Sequence, residues 1–201
     1  MKNINLSPDD IYKIYKISYS VAESRGKKKQ NIINEVVIDS LKKLDSYKDC
    51  VFKEEVRMNP LWGKYFPVDI AIYRNDVLIE IVLNKAPASN AKQNKVNTMN
   101  SINSDIDRLS NYKNIKITLV NFLPNITPFF TRKESIKNFE NNKLDFLMNK
   151  GVTKKVDIDE IFITFDISNI TKCLNKSDIK NLFNNNPISN IKIEELNYKP
   201  L

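Results

Sequence analysis

Apolar residues recur at helical spacing twice within the first quarter of the chain. Ser7-Pro8-Asp9-Asp10 is a helix start signal. Ile11, Ile14, Tyr15, Ser18, Val21 and Ala22 follow it on one face, which predicts an amphipathic helix within Asn3 to Glu23. Gly26 and the run Lys27, Lys28, Lys29 interrupt that pattern. A second stripe at Ile33, Val36, Val37, Leu41 and Leu44 predicts another helix, with Glu35 beside the stripe. From Val51 the pattern changes. Val51 to Met58, Tyr65 to Arg74 and Val77 to Leu83 are short segments rich in β-branched and aromatic residues, read as three consecutive strands, the last two a hairpin turning at Asn75-Asp76.

Pro87 to Tyr112 has no glycine and sets Val96, Met99, Ile102, Ile106 and Leu109 at helical spacing, predicting a helix that lies across the sheet. Ile115 to Phe122 reads as a buried strand, and the helix-to-strand order implies an α/β fold with a mixed sheet. Beyond Pro124 the pattern weakens, although Ile161 to Phe165 reads as a strand, Ser177 to Phe183 as a short helix, and Asn184, Asn185 and Asn186 as a loop. No internal repeat or domain boundary stands out. Residues 1–201 are therefore expected to form a single domain, with a core over about residues 30–123 and a C-terminal elaboration over 124–201.

Composition narrows the chemistry. The chain of 201 residues is long enough to bury one sizeable core. Its 32 Lys and Arg against 24 Asp and Glu leave a net charge of +8, a field that attracts polyanions, with DNA the obvious partner. There is no histidine, which removes Ser-His-Asp and Cys-His catalysis, histidine-bearing zinc sites and nucleases with a histidine base. Three glycines, Gly26, Gly63 and Gly151, leave no glycine-rich phosphate loop. Any hydrolysis must rely on carboxylates, lysines and a hard cation. Cys50 and Cys173 are isolated, as structural thiols in a reducing compartment would be. No stretch approaches the roughly 20 apolar residues that span a bilayer, so no membrane partner and a cytoplasmic location are expected.

The informative stretch is Phe66-Pro67-Val68-Asp69-Ile70-Ala71-Ile72-Tyr73-Arg74, continuing through Asn75-Asp76 into Val77-Leu78-Ile79-Glu80-Ile81-Val82. With a plain two-residue turn, residue 71 pairs with 80 and 69 with 82, making Asp69 and Glu80 diagonal neighbours on one face, roughly 7–8 Å apart. Two carboxylates on a largely apolar hairpin repel each other unless a divalent cation neutralises them. An ordinary solvent-facing sheet carrying two acids has the same pattern. Asp157, Asp159 and Glu160 read as the solvated lead-in to a strand.

Asp69 at the start of a strand, a short turn and a following strand with Glu80 resemble the core of the PD-(D/E)XK nucleases, in particular the nuclease segment of type I restriction motor subunits and related restriction endonucleases. The likeness spans about Ile32 to Phe122 and includes the helix stretch Ser89-Asn90-Ala91-Lys92-Gln93-Asn94. The resemblance implies a restriction-endonuclease-like αβββαβ core, a central mixed sheet flanked by helices. It also implies metal-dependent cleavage of DNA, with Mg²⁺ (Mn²⁺ as a substitute) held by Asp69, Glu80 and Glu35, and a 5′-phosphate product. Val82 stands where the family has the lysine of Glu-x-Lys; Lys85 or Lys92 is the substitute to hold the attacking water. For DNA contact the candidates are Lys27, Lys28, Lys29, Lys92, Gln93, Asn94 and Lys95, lysines for phosphates and amides for base edges. A lysine run is also what a plain solvated face looks like. A palindrome-cutting enzyme of this class would be a twofold homodimer. The loss of the motif lysine leaves two other readings, a catalytically silent nucleic-acid-binding module and a protein-interaction factor.

Overall fold

Ser7 opens the first helix as its sequence predicts. In a computed structural model of the chain, its hydroxyl accepts the N–H of Asp10 at 3.3 Å while Asp10 Oδ2 accepts the N–H of Ser7 at 2.9 Å, a reciprocal cap with Pro8 in the first turn. The structure describes residues 4–19, 27–142 and 158–198. The side chains of Lys92, Gln93, Lys95, Leu196, Asn197 and Tyr198 lie outside that description.

Helix α1 (Pro8–Ser18) buries Ile11, Ile14 and Tyr15 against α2 (Lys27–Lys42) and the sheet. The lysines expected to separate the two helices form the first turn of α2 instead, because nothing in Lys27-Lys28-Lys29 opposes helix formation. Strands β1 (Cys50–Met58), β2 (Phe66–Arg74) and β3 (Val77–Lys85) make an antiparallel meander. Helix α3 (Ala91–Arg108) then carries the chain to β4 (Lys116–Pro124), which runs parallel to β3. The next strands, β5 (Ile126–Phe130) and β6 (Ile136–Asn141), pair only with each other. Strand β7 (Ile158–Asp166) is parallel to β4, and after α4 (Lys176–Phe183), capped by Asn175 and Asp178, β8 (Ser189–Tyr198) returns antiparallel to β7. The result is an α/β fold around a mixed six-stranded sheet in the order β1-β2-β3-β4-β7-β8. The last third of the chain thus supplies two strands of the central sheet.

The inner strands β3, β4 and β7 are apolar on both faces, as parallel strands covered by helices must be. Ile70, Ile72, Val82, Val120, Phe122, Ile163 and Phe165 meet α1, α2 and α4. Ala71, Ile81, Leu83, Ile117, Leu119 and Ile158 meet Ile102, Ile106 and Leu109 from α3 and its end. That helix crosses the strands. Its first residue, Ala91, packs with Leu123 of β4 and Phe162 of β7, whereas Arg108 at its end lies 3.9 Å over the Phe66 ring of β2. Val96, expected on the buried stripe, is 64% exposed, since the crossing leaves that turn outside the sheet contact. Among the described residues no helix is long and apolar enough to cross a membrane.

The turn at Asn75-Asp76 is as read from the sequence, with both residues at positive φ (49° and 61°), the conformation of a tight two-residue hairpin loop. The register beyond it is not. Tyr73 faces Leu78 but Ile72 faces Glu80, so Ile79 is an extra residue in β3. Ala71 then pairs with Ile81 and Ile70 with Val82, instead of with residues 80 and 81 respectively on the expected count. Aspartate at φ 61° is strained relative to glycine, and Asp76 is exposed. Asp76→Gly is accordingly expected to stabilise the fold by about 0.5 kcal/mol, read as a higher urea midpoint with an unchanged slope.

Candidate active site

One extra residue at Ile79 separates the two carboxylates that the sequence pairs. On β3, Glu80, Val82 and Asn84 face α1 and α2, whereas Ile81, Leu83 and Lys85 face α3. Glu80 is 3% exposed. The Tyr47 hydroxyl donates to its Oε2 at 2.7 Å and the Thr118 hydroxyl to its Oε1 at 2.5 Å. Lys116, directly across from Glu80 on β4, is ion-paired with Asp159 of β7. Burial, then the neighbouring Glu80 carboxylate, holds the Tyr47 phenol far above its ordinary value, so it stays a donor. Glu80 therefore sits inside a buried hydrogen-bond network, on the opposite face from Lys85. Glu35, the other proposed ligand, is exposed on the outer side of α2. Asn34, one residue earlier, is the fully buried one, because a step of one residue turns a helix by about 100°. Tyr47→Phe removes a donor from a buried carboxylate and is expected to cost about 2 kcal/mol in urea unfolding.

Asp69 lies where β2 and β3 part. Their ladder stops at Ile70 and Val82, although β3 continues beside β4 to Lys85. In that fork, Asp69 Oδ2 accepts the backbone N–H of Asn84 at 2.6 Å. The Asn34 amide donates to the Asp69 carbonyl at 3.0 Å, and its Oδ1 accepts from Asn84 Nδ2 at 2.9 Å and Gln30 Nε2 at 3.0 Å. Every one of these bonds holds Asp69 in place. Lys85 comes to the same side, with its ammonium 3.8 Å from Asp105 of α3, and both side chains are about a quarter exposed (26% and 23%).

Burial pushes the Asp69 carboxyl above the ordinary carboxylate range. The Asn84 N–H and the Lys85 charge oppose that shift, while Asp105 and Glu55 add to it. Burial likewise raises Asp105, against the charges of Lys85 and Arg108. Lys85 is thus paired with one partly desolvated carboxylate, Asp105, and its charge acts on a second, Asp69. Among the described residues no three Asp, Glu or Cys side chains gather so as to hold a metal ion. Asp69 and Asp105 are oxygen donors from two elements, and a small hard cation takes one or two carboxylates and fills its other positions with water and phosphate oxygens.

Of the other sequence candidates, Lys27 is spent on Glu55 at 3.0 Å and Lys28 is exposed. Lys29 turns inward to the Ala86 carbonyl at 2.7 Å. Asn94 is exposed, and the side chains of Lys92, Gln93 and Lys95 lie outside the described residues. Asp157 lies outside them too. Glu160 is no solvated lead-in: it is fully buried on the α3 face, and the Asn121 amide donates to it at 2.7 Å. Asn34 and Asp105 were not singled out by sequence. A polar residue inside the Ile33-Val36-Val37 stripe was the available signal for Asn34, and the spacing of Asp105 beside Ile102 and Ile106 carried none.

Comparison with protein-family models, curated proteins and solved structures gives no match.

The raised Asp69 value has a stability consequence. A carboxyl whose folded pKa lies above the unfolded 3.8 favours the fold below that pH and loses the benefit as pH rises through the folded value, leaving a net cost at pH 7. Asp69→Asn keeps an acceptor for the Asn84 N–H and removes the charge. It is expected to raise Tm by about 2–4 °C at pH 7, the shift that ~1 kcal/mol gives a chain this size, and by much less at pH 3.5. Thermal melts at the two pH values check both halves.

Proposed function

We propose that the chain is a metal-dependent phosphodiesterase acting on DNA, an endonuclease built on a restriction-endonuclease-like αβββαβ core. The observation that carries this reading is a pair of partly desolvated carboxylates, Asp69 at the fork between β2 and β3 and Asp105 on α3, with Lys85 ion-paired to Asp105 and its charge felt at Asp69. The α2-β1-β2-β3-α3-β4 order and the parallel β3–β4 pair are compatible with that core. The net charge of +8 suits a polyanionic substrate.

In this reading Asp69 and Asp105 replace Asp69 and Glu80 as the residues that would hold Mg²⁺. When bound, the ion would neutralise developing charge on the phosphate and make a bound water more acidic. Lys85 takes the part left open by Val82: its ammonium can hold the attacking water or a phosphate oxygen, interactions that strengthen as charge develops. Asn84 and Asn34 fix Asp69, and Arg108 shares the charge of Asp105. Glu80 has a structural role only.

Supercoiled plasmid incubated with the protein in Mg²⁺, Mn²⁺ or chelator tests this. Metal-dependent cutting is expected, lost in Asp69→Ala, reduced at least about a hundredfold by Lys85→Ala and Asp105→Asn, and retained by folded Glu80→Gln. Mg²⁺ should raise Tm in the native chain and not in Asp69→Ala. Folded protein that cuts nothing in either metal overturns the enzyme. The engagement of Lys85 with Asp105 favours the second reading, a silent nucleic-acid-binding module, for which DNA affinity falls steeply with salt and ignores Mg²⁺.

A further inference from the structure

A cavity of about 590 Å³ opens beside the β3–α3 connection. Its walls come from α1, α2, the 86–90 segment, the start of α3, the β5–β6 turn and Lys176 of α4. Three cations line it, Lys29, Arg132 and Lys176, against one carboxylate, Glu134. Lys176 is 12% exposed and 3.4 Å from Glu134, which is itself largely exposed. Lys29 turns inward as well: its ammonium donates to the Ala86 carbonyl, and burial lowers it to about 8. Among the described residues no carboxylate is paired with it.

The start of α3 adds to this field. Its N-cap, Asn90, sits in the left-handed region at φ 50° and gives its side-chain oxygen to the N–H of Phe130 at 3.0 Å, not to the first turn of the helix. The first turn carries no acidic residue. The Asn90 side chain is thus turned away from the first turn of α3, and the positive end of this 18-residue helix lies at a cavity wall that holds Asn90 and Asn94. An ammonium with no carboxylate paired to it among the described residues, two further cations and the positive end of a helix all favour an anion.

We propose that this cavity is a phosphate-monoester site, which takes the terminal phosphate of a nucleotide or of a nucleic-acid strand end. A monoester carries about −1.5 to −2 at pH 7, against −1 for an internal phosphodiester, and so gains more from three cations facing one carboxylate. The volume suits a nucleotide-sized ligand. The identity of the strand rests on the nucleic-acid function proposed above; the phosphate chemistry does not.

Binding is measured in chelator, which removes cleavage from the readout. The probes are inorganic phosphate and a short oligodeoxynucleotide bearing a 5′-phosphate, a 3′-phosphate or hydroxyls at both ends. A terminal phosphate is expected to tighten binding at least tenfold over the hydroxyl ends, with inorganic phosphate competing. Free phosphate binding without tighter capture of either phosphorylated strand would assign the site to the mononucleotide form, tested with a 5′-mononucleotide in place of the strand. Arg132→Gln and Lys29→Gln should each weaken capture about tenfold, Lys133→Gln, an exposed neighbour outside the cavity, should not, and Asp69→Ala should leave it intact. Lys29 is deep enough that its variant can misfold, so Arg132, on the surface, carries the test. No binding of any phosphomonoester, or an equal loss in Lys133→Gln and Arg132→Gln, overturns the site whatever the outcome of the plasmid assay.

Discussion

The arrangement of this molecule depends on one extra residue, Ile79, in the hairpin between β2 and β3. Side chains alternate along a strand with period two, so a slip of one residue relative to the partner strand exchanges the faces of everything beyond it. The slip sends Glu80 to the side of α2, where Tyr47 and Thr118 hold it. It also puts Lys85 on the side of Asp69 and Asp105. Had the hairpin closed without a bulge, Asp69 and Glu80 would be diagonal neighbours on one face and Lys85 would lie on the other. The bulge thus decides which carboxylate is enclosed by hydroxyl donors and which shares a face with Lys85.

The buried acids differ in how their charge is met. Glu80 and Glu160 are almost completely enclosed, and each has neutral donors aimed at it, two hydroxyls for Glu80 and the Asn121 amide for Glu160. Enclosure of that kind is tolerable because the donors replace water. Asp69 and Asp105 are less enclosed and meet a charge instead: burial raises both, and the Lys85 ammonium opposes the shift at each. A protein selected only for stability would replace such a pair with neutral residues of similar size. Two carboxylates kept at net cost around a lysine mark the place where binding energy from a cation or a phosphate would be recovered.

Much of the fold was legible because it follows from local chemistry. Ser7 and Asp10 cap α1, Asn75 and Asp76 tolerate positive φ, and the apolar runs of β3, β4 and β7 state that both faces are covered. What was not legible depends on relations between elements. The Ile79 bulge has no sequence signature, since isoleucine suits a regular strand equally well, and it alone reversed the pairing of Asp69 and Glu80. Glu35 and Asn34 differ by one helical step, and sequence favoured the charged residue although the interior took the amide. Asp105 lies on α3 and meets Lys85 only because that helix crosses the sheet. Strand β8 was missed since Ser189 to Tyr198 mixes Asn, Lys and Glu with few apolar residues, as an edge strand with one solvated side does.

Three consecutive residues at the end of β3 connect these features. The Asn84 side chain reaches α2 through Asn34 while its N–H holds Asp69; Lys85 reaches α3 through Asp105; the carbonyl of Ala86 anchors Lys29 at the cavity wall. Carboxylates therefore meet on one side of this short segment, and on the other lies a cavity lined by Lys29, Arg132 and Lys176 against Glu134. An anionic ligand seated against Lys29 and a cation seated against Asp69 would each relieve a desolvated charge, and both would bear on the same few backbone atoms. The fork and the cavity wall are thus built on the same three residues, yet through different groups: Asp69 is held by the Asn84 N–H, Asp105 by the Lys85 ammonium and Lys29 by the Ala86 carbonyl, so a change at one need not disturb the others.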